Sequence, residues 1–191
     1  MEDILDQFPL LSRGNKFHAM LATSSIPEAI NYYRLFKERA PQMHVTALFD
    51  PNVDNSNGAI LKGDALQEII GDYNELFGKD FIIPTWPKMK KDITARLSHK
   101  RPYLTVDQHR EERIDLLIVV DQMLTGFDSK WVNTLYLDKI IDYENIIQAF
   151  SVRTDCSALI SLRNDTLLSQ AAYHERVYRS SGETVFRRQA T

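Results

Sequence analysis

At 191 residues the chain has the length of one ordinary domain with room for an appendage, too short for a complete multi-domain machine. Its 43% hydrophobic and 26% charged content excludes a disordered or fibrous chain, and its longest apolar run, Leu116 to Val120, is far below the roughly 20 residues that cross a bilayer. The acidic MEDILDQF start lacks a secretory basic region and the lone Cys156 excludes a disulfide framework or cysteine-rich metal site, so a reducing, cytoplasmic setting fits; the net charge of -3 leaves nucleic-acid binding only to local basic stripes.

Residues 1–12 read as an N-terminal extension. Lys16 to Ala22 (KFHAMLA) is a short apolar run closed by Thr23-Ser24-Ser25. Ser25 is a good helix N-cap, Pro27 and Glu28 suit a first turn, and Ile30, Tyr33 and Phe36 share one face of a helix running to about Arg39, where Pro41 stops it. His44 to Phe49 is β-branched and aromatic enough for a second strand, which makes a strand-helix-strand unit with parallel strands. Asp64 to Phe77 has helical spacing and Gly78 supplies its stop, and another helix follows Pro87. Ile114 to Asp121 (IDLLIVVD) has the near-continuous branched residues of a central parallel strand covered on both faces. Val132 to Leu137 alternates like a further strand, and Tyr143 to Phe150 reads as a short helix.

Open α/β sheets bind ligands at the carboxyl ends of their strands. There the chain places Thr125, Gly126 and Asp128, a hydroxyl, a glycine permitting close backbone approach and a carboxylate able to orient a cation or basic partner. A plain strand-to-loop turn capped by Asp128 explains the same residues. Gln148 and Arg153 could reach a nucleotide on a neighbouring domain, Arg153 as an arginine entering a phosphate site from the side, or Arg153 could simply be solvated at a helix terminus. Trp86 to Arg101 carries six basic side chains against one acid; Lys88 and Lys91 there suit a phosphate-tracking face or a solvated helix. Asp50, Asn52 and Asp54 open like a calcium loop, but Asn55 stands where glycine is needed and Leu61 where glutamate is. His18, His44, His99, His109 and His174 show no metal-ligand spacing and read as strand-edge or surface residues. No GxxxxGK[ST] loop occurs, so the chain alone cannot bind and hydrolyse a nucleoside triphosphate in the usual way.

The stretch ERIDLLIVVDQMLTGFDSKWVNTLYLDK followed by YENIIQAFS resembles the R subunit of type I restriction enzymes, with two helicase-type motor motifs, one around LTGFD and one beginning QAFS. More loosely, KFHAMLATSSIPEAINYYRLF resembles the first strand and helix of that family's second motor domain. The resemblance implies an α/β fold: a RecA-like parallel sheet flanked by helices over residues 13–150, with a helical insertion at 60–110 and an atypical tail at 151–191. It implies a piece of a DNA-translocating restriction endonuclease, using ATP and Mg2+ in the full-length enzyme and binding neither tightly in this fragment. DNA, the missing first motor and nuclease domains, and the modification and specificity subunits are its implied partners, with no membrane and no resident metal. Thr125 and Gly126 would face DNA or the interdomain cleft, Asp128 the nucleotide side, and Gln148 the ATP cleft. An alternative is a non-catalytic nucleotide-binding or interaction module.

After Ser151 the family's QAFSRTNR becomes QAFSVRTDCS, with Val152 and Asp155 in the arginine positions and Arg153 one step late. Up to Phe150 the basic residues are 10 Lys and 7 Arg, whereas from Ser151 they are 6 Arg and no Lys. Back-translation of Val152 to Leu162 in a neighbouring frame yields RTNRLFGPDKP, the family's continuation. Residues 152–191 therefore read as out-of-frame translation, with any helix over Leu159 to Leu168 lacking evolved packing.

Overall fold

The computed structural model describes residues 2–14, 16–50, 59–120, 129–138, 158–161 and 166–169. Four strands lie where the residue pattern requires them: β1 (His18–Thr23), β2 (Val45–Leu48), β3 (Leu116–Val120) and β4 (Val132–Asp138). Two more, β5 (Ala158–Ser161) and β6 (Thr166–Ser169), extend one sheet of order β2-β3-β1-β4-β5-β6. All neighbours are parallel except β5 and β6, which pair antiparallel. The expected RecA-like α/β architecture, a parallel sheet flanked by helices, is thus what the chain forms. In β1 all six residues are buried, and in β3 the first four are, because helices cover a parallel sheet.

Helix α2 (Ile26–Arg39) starts where Ser25 caps it: the Glu28 amide donates to Ser25 Oγ at 3.4 Å. Ile26, Ala29, Ile30, Tyr33 and Phe36 form its buried stripe. Helix α3 (Ala59–Phe77) buries Leu66, Ile69, Ile70 and Tyr73 and ends at Gly78, whose φ of +60° is cheap for glycine. Arg34 pairs with Glu68 at 2.7 Å and Lys37 with Asp72 at 2.6 Å, joining the outer faces of α2 and α3. Helix α4 (Trp86–Leu97) follows, burying Met89, Ile93, Arg96 and Leu97.

Two findings differ from the sequence reading. The N-terminal extension is the helix α1 (Glu2–Leu11), with Ile4 fully buried and Phe8 6% exposed in the main core. A bulge in the β1–β4 pairing skips Asn133, whose side-chain amide is then aimed out of the ladder and donates to the Leu11 carbonyl at 2.8 Å. The second difference is β5 and β6, where the tail was expected to be helical. ALIS and TLLS are too short for a stable helix, and β4 presents an open edge that accepts β5 in parallel register. The expected helix at 143–150 lies outside the described residues.

Candidate functional site

The carboxyl edge of the sheet is built around the end of β1. Thr23 is fully buried, flanked in register by Val120 of β3 and Asp138 of β4. Its hydroxyl lies 3.3 Å from the Val119 carbonyl and 3.2 Å from that of Ser25, so it ties the start of α2 to the end of β3. Glu28 accepts hydrogen bonds from the Ser24 amide at 3.1 Å and from the Ser24 hydroxyl. The first donors of the helix are thereby satisfied internally, and a carboxylate stands where an anion would otherwise be drawn.

The chain leaves β3 at Val120, directly beside this turn, and is described again from Ser129. Thr125, Gly126 and Asp128 occur in between and, like Gln148 and Arg153, lie outside the described residues, as do Asn52, Asp54, Asn55, Cys156 and His174. What the structure provides is the platform from which the first three depart: the carboxyl end of a central strand next to a helix N-terminus.

Lys88 and Lys91 are exposed on α4. The bonds that fix this helix and its exit lie at the opposite, amino end of the sheet. Ser129 Oγ donates to the Leu97 carbonyl at 2.6 Å, and His99 meets His18 at the start of β1. The structure therefore does not gather these lysines onto the carboxyl edge. It also removes Arg96 from the basic face: that guanidinium is 2% exposed and lies within the insertion.

Around the amino end the structure assembles a cluster whose partners are too far apart in sequence to be read as one. His18 and His99 are both buried, with Nε2 atoms 2.9 Å apart, and His99 stacks on Trp131 at 4.0 Å and 6°. The Nδ1–H of His18 donates to the Ile114 carbonyl, so its Nε2 accepts the proton of His99 Nε2. The strand-edge expectation thus suits His18, which opens β1, whereas His99 is interior; among the described residues no three ligands are placed to hold a metal. His109 is exposed, as expected, and His44 donates to the Arg113 carbonyl at 2.8 Å.

Burial pushes His18 down to about 3, against its bond to Ile114 and helped by Arg113 and His99. Burial likewise pushes His99 down to about 4, against Asp107 and helped by Arg113 and Lys130. Both rings are neutral at pH 7, and protonating either puts two donors face to face. In the unfolded chain they take protons near pH 6.5, so the stability they contribute is complete above that pH and falls as the pH drops toward 4. Between pH 7 and 5 the pair should cost about 3–4 kcal/mol of unfolding free energy. Denaturant unfolding of the wild type and of His18→Gln at both pH values checks this: the variant should lose about half the pH sensitivity, and an unchanged slope would contradict it.

A second feature of the amino end is a cleft of about 500 Å³ beside β2, with Lys37, His44 and Asp72 in its wall. Lys37 and Asp72 are already bonded to each other there. No described helix is long and apolar enough to cross a membrane.

Comparison with known proteins gives these features a context. Residues 15–156 match the family described as Type I restriction enzyme subunit R domain 3. The SauCOLORF180P type I restriction enzyme endonuclease subunit of Staphylococcus aureus strain COL is 30% identical over 156 residues, covering 78% of this chain and 16% of that protein. The SauMRSORF196P endonuclease subunit of S. aureus strain MRSA252 is 31% identical over the same length. The SsaAORF53P endonuclease subunit of Staphylococcus saprophyticus is 32% identical over 149 residues, 73% of this chain and 15% of that protein. The chain thus spans about a sixth of the length of these relatives.

Proposed function

The chain belongs to the type I restriction enzyme subunit R family, in its domain 3, and from that premise we propose that it supplies the second RecA-like motor domain of an R subunit. In that role it serves ATP-dependent DNA translocation ahead of endonucleolytic cleavage of unmodified DNA. The observation that carries the reading is the parallel sheet whose β3 delivers the LTGFD segment from the carboxyl end of a central strand, beside the Thr23–Ser25 turn. Brändén-type crevices at that edge are where α/β sheets meet nucleotides and phosphates.

Thr125 and Gly126 then face DNA or the interdomain cleft, Asp128 the nucleotide side and Gln148 the ATP cleft, with Arg153 displaced by one residue from the arginine position. The described carboxyl edge does not fit a nucleotide by itself, since Glu28 already takes the Ser24 amide and hydroxyl and the sequence carries no phosphate loop. This chain would form one wall of the site, while ATP and Mg2+ are held chiefly by the opposing motor domain. DNA, the rest of the subunit, and the modification and specificity subunits are the partners this role requires.

Residues 152–191 are, in the same proposal, a product of a shifted reading frame. The family match ending at residue 156 and the loss of lysine after Ser151 support this. β5 and β6 are then chance apolar runs captured by the open edge of β4.

The isolated chain tests the motor assignment. With ATP, Mg2+ and duplex DNA it should show no turnover above blank. Turnover that Asp128→Ala abolishes would overturn the reading, because a lone second domain has no phosphate loop with which to perform it.

A further inference from the structure

We propose that residues 82–91, with the turn beside them, form a docking surface for another domain of the same R subunit, one presenting an apolar face rimmed by carboxylates. Ile82 is 58% exposed, Ile83 44%, and Leu104 56%. Large apolar side chains this exposed are ordinary when scattered, but these are presented by a rigid frame. The Asn74 side chain donates to the Phe81 carbonyl at 2.7 Å and accepts from the Phe81 amide at 2.9 Å. Thr85 Oγ1 accepts from the Ile82 amide at 2.9 Å and lies 3.0 Å from the Ile82 carbonyl, closing the turn that carries both isoleucines. Lys79 bridges to the neighbouring turn, its ammonium 5.7 Å from the centre of the Tyr103 ring, with Leu104 next in sequence. A surface already fixed in shape loses little conformational freedom on binding.

Charge selects the occupant. From Ile82 to Lys91 there is no acid and there are three lysines, of which Lys88 and Lys91 are exposed one helical turn apart. Lys100 and Arg101, also exposed, precede Leu104. An apolar centre with a cationic rim is complementary to an apolar face edged by Asp and Glu. DNA would satisfy the lysines but leave the isoleucines uncovered, and α4 is fixed at the amino end of the sheet, away from the carboxyl edge where β3 delivers the LTGFD segment. The relatives supply the occupant's source, since about five-sixths of their length lies outside the matched region. This inference rests on family membership and not on motor activity, so it stands or falls without ATP.

The test places a photoreactive p-benzoylphenylalanine at Ile83 in the full-length R subunit, irradiated with and without duplex DNA and mapped by mass spectrometry. The expected product is a crosslink within the subunit, to a peptide with both apolar and acidic residues, its yield unchanged by DNA. Lys88→Glu with Lys91→Glu should lower that yield by about tenfold. A crosslink to DNA, a peptide without acids, no crosslink, or a yield indifferent to the charge reversal would each overturn the proposal. Unchanged thermal melting of the 191-residue chain carrying the same charge reversals excludes misfolding as the cause.

Discussion

Replacing Arg96 by alanine is expected to destabilise the chain by about 3–5 kcal/mol and to lower its melting temperature by roughly 10 °C. Arg96 donates from Nε to Asp92 at 2.9 Å, from Nη1 to the Glu112 carbonyl and from Nη2 to Tyr103 Oη at 3.0 Å. Its guanidinium also lies 4.0 Å from the centre of the Phe77 ring and 4.1 Å from that of Tyr103. One side chain thus joins the end of α3, the middle of α4, the Tyr103 turn and the approach to β3. Asp92 also accepts from the hydroxyls of Tyr73 and Tyr103, both at 2.6 Å. Burial alone would raise the Asp92 carboxyl, but the bonds from Tyr103, Tyr73 and Arg96 hold it below the usual carboxylate range. Removing the arginine leaves that carboxylate poorly solvated and without its main counter-charge, and opens a gap between two rings. Lysine, a compact point charge, should not restore stability because it cannot bond in three directions from one plane. Arg96→Met combined with Asp92→Leu should cost less than Arg96→Ala alone. Thermal unfolding of the three variants decides the matter, and a loss under 1 kcal/mol for Arg96→Ala would show that the network is incidental.

The second large effect concerns the arginines that follow QAFS. If this chain forms one wall of an ATP cleft, the positive charge it lends to the transferring phosphoryl group must come from the positions that Val152 and Asp155 now occupy. Supplying such an arginine is worth on the order of 10³–10⁵ in turnover in phosphoryl-transfer enzymes. The neighbouring frame restores RTNR at residues 152–155. An R subunit built with that continuation should therefore hydrolyse ATP on DNA at least about 100-fold faster than the same subunit carrying VRTD, while Arg153, one step late and rotated on its element, should not compensate.

Much of the frame was legible because parallel strands announce themselves locally. HAMLAT and LLIVV are continuous apolar runs, and the Ser25 cap with Pro27 and Glu28 marks the start of α2 to within a residue. Helix α1 escaped notice because Pro9 interrupts a segment of only 10 residues, which the core holds through Ile4 and Phe8. Arg96 read as surface charge because nothing in its neighbours in sequence reveals Phe77 and Tyr103 closing over it. The His18, His99 and Trp131 cluster is a tertiary coincidence of β1, the exit of α4 and the entrance to β4, and short-range spacing carries no signal of it. Of the candidate site, the residue pattern located the strand end from which Thr125, Gly126 and Asp128 depart. It also put Lys88 and Lys91 on a helix, but could not show that this helix is fixed at the opposite end of the sheet.

The most direct measurement is DNA-dependent ATP turnover by the intact R subunit carrying this domain, prepared once with residues 152–191 as they stand and once with the RTNR continuation. A second motor domain whose tail has left its frame predicts turnover only in the second preparation, and only when DNA is present. Equal turnover in both, or none in either while the nuclease domain remains folded, would contradict the account.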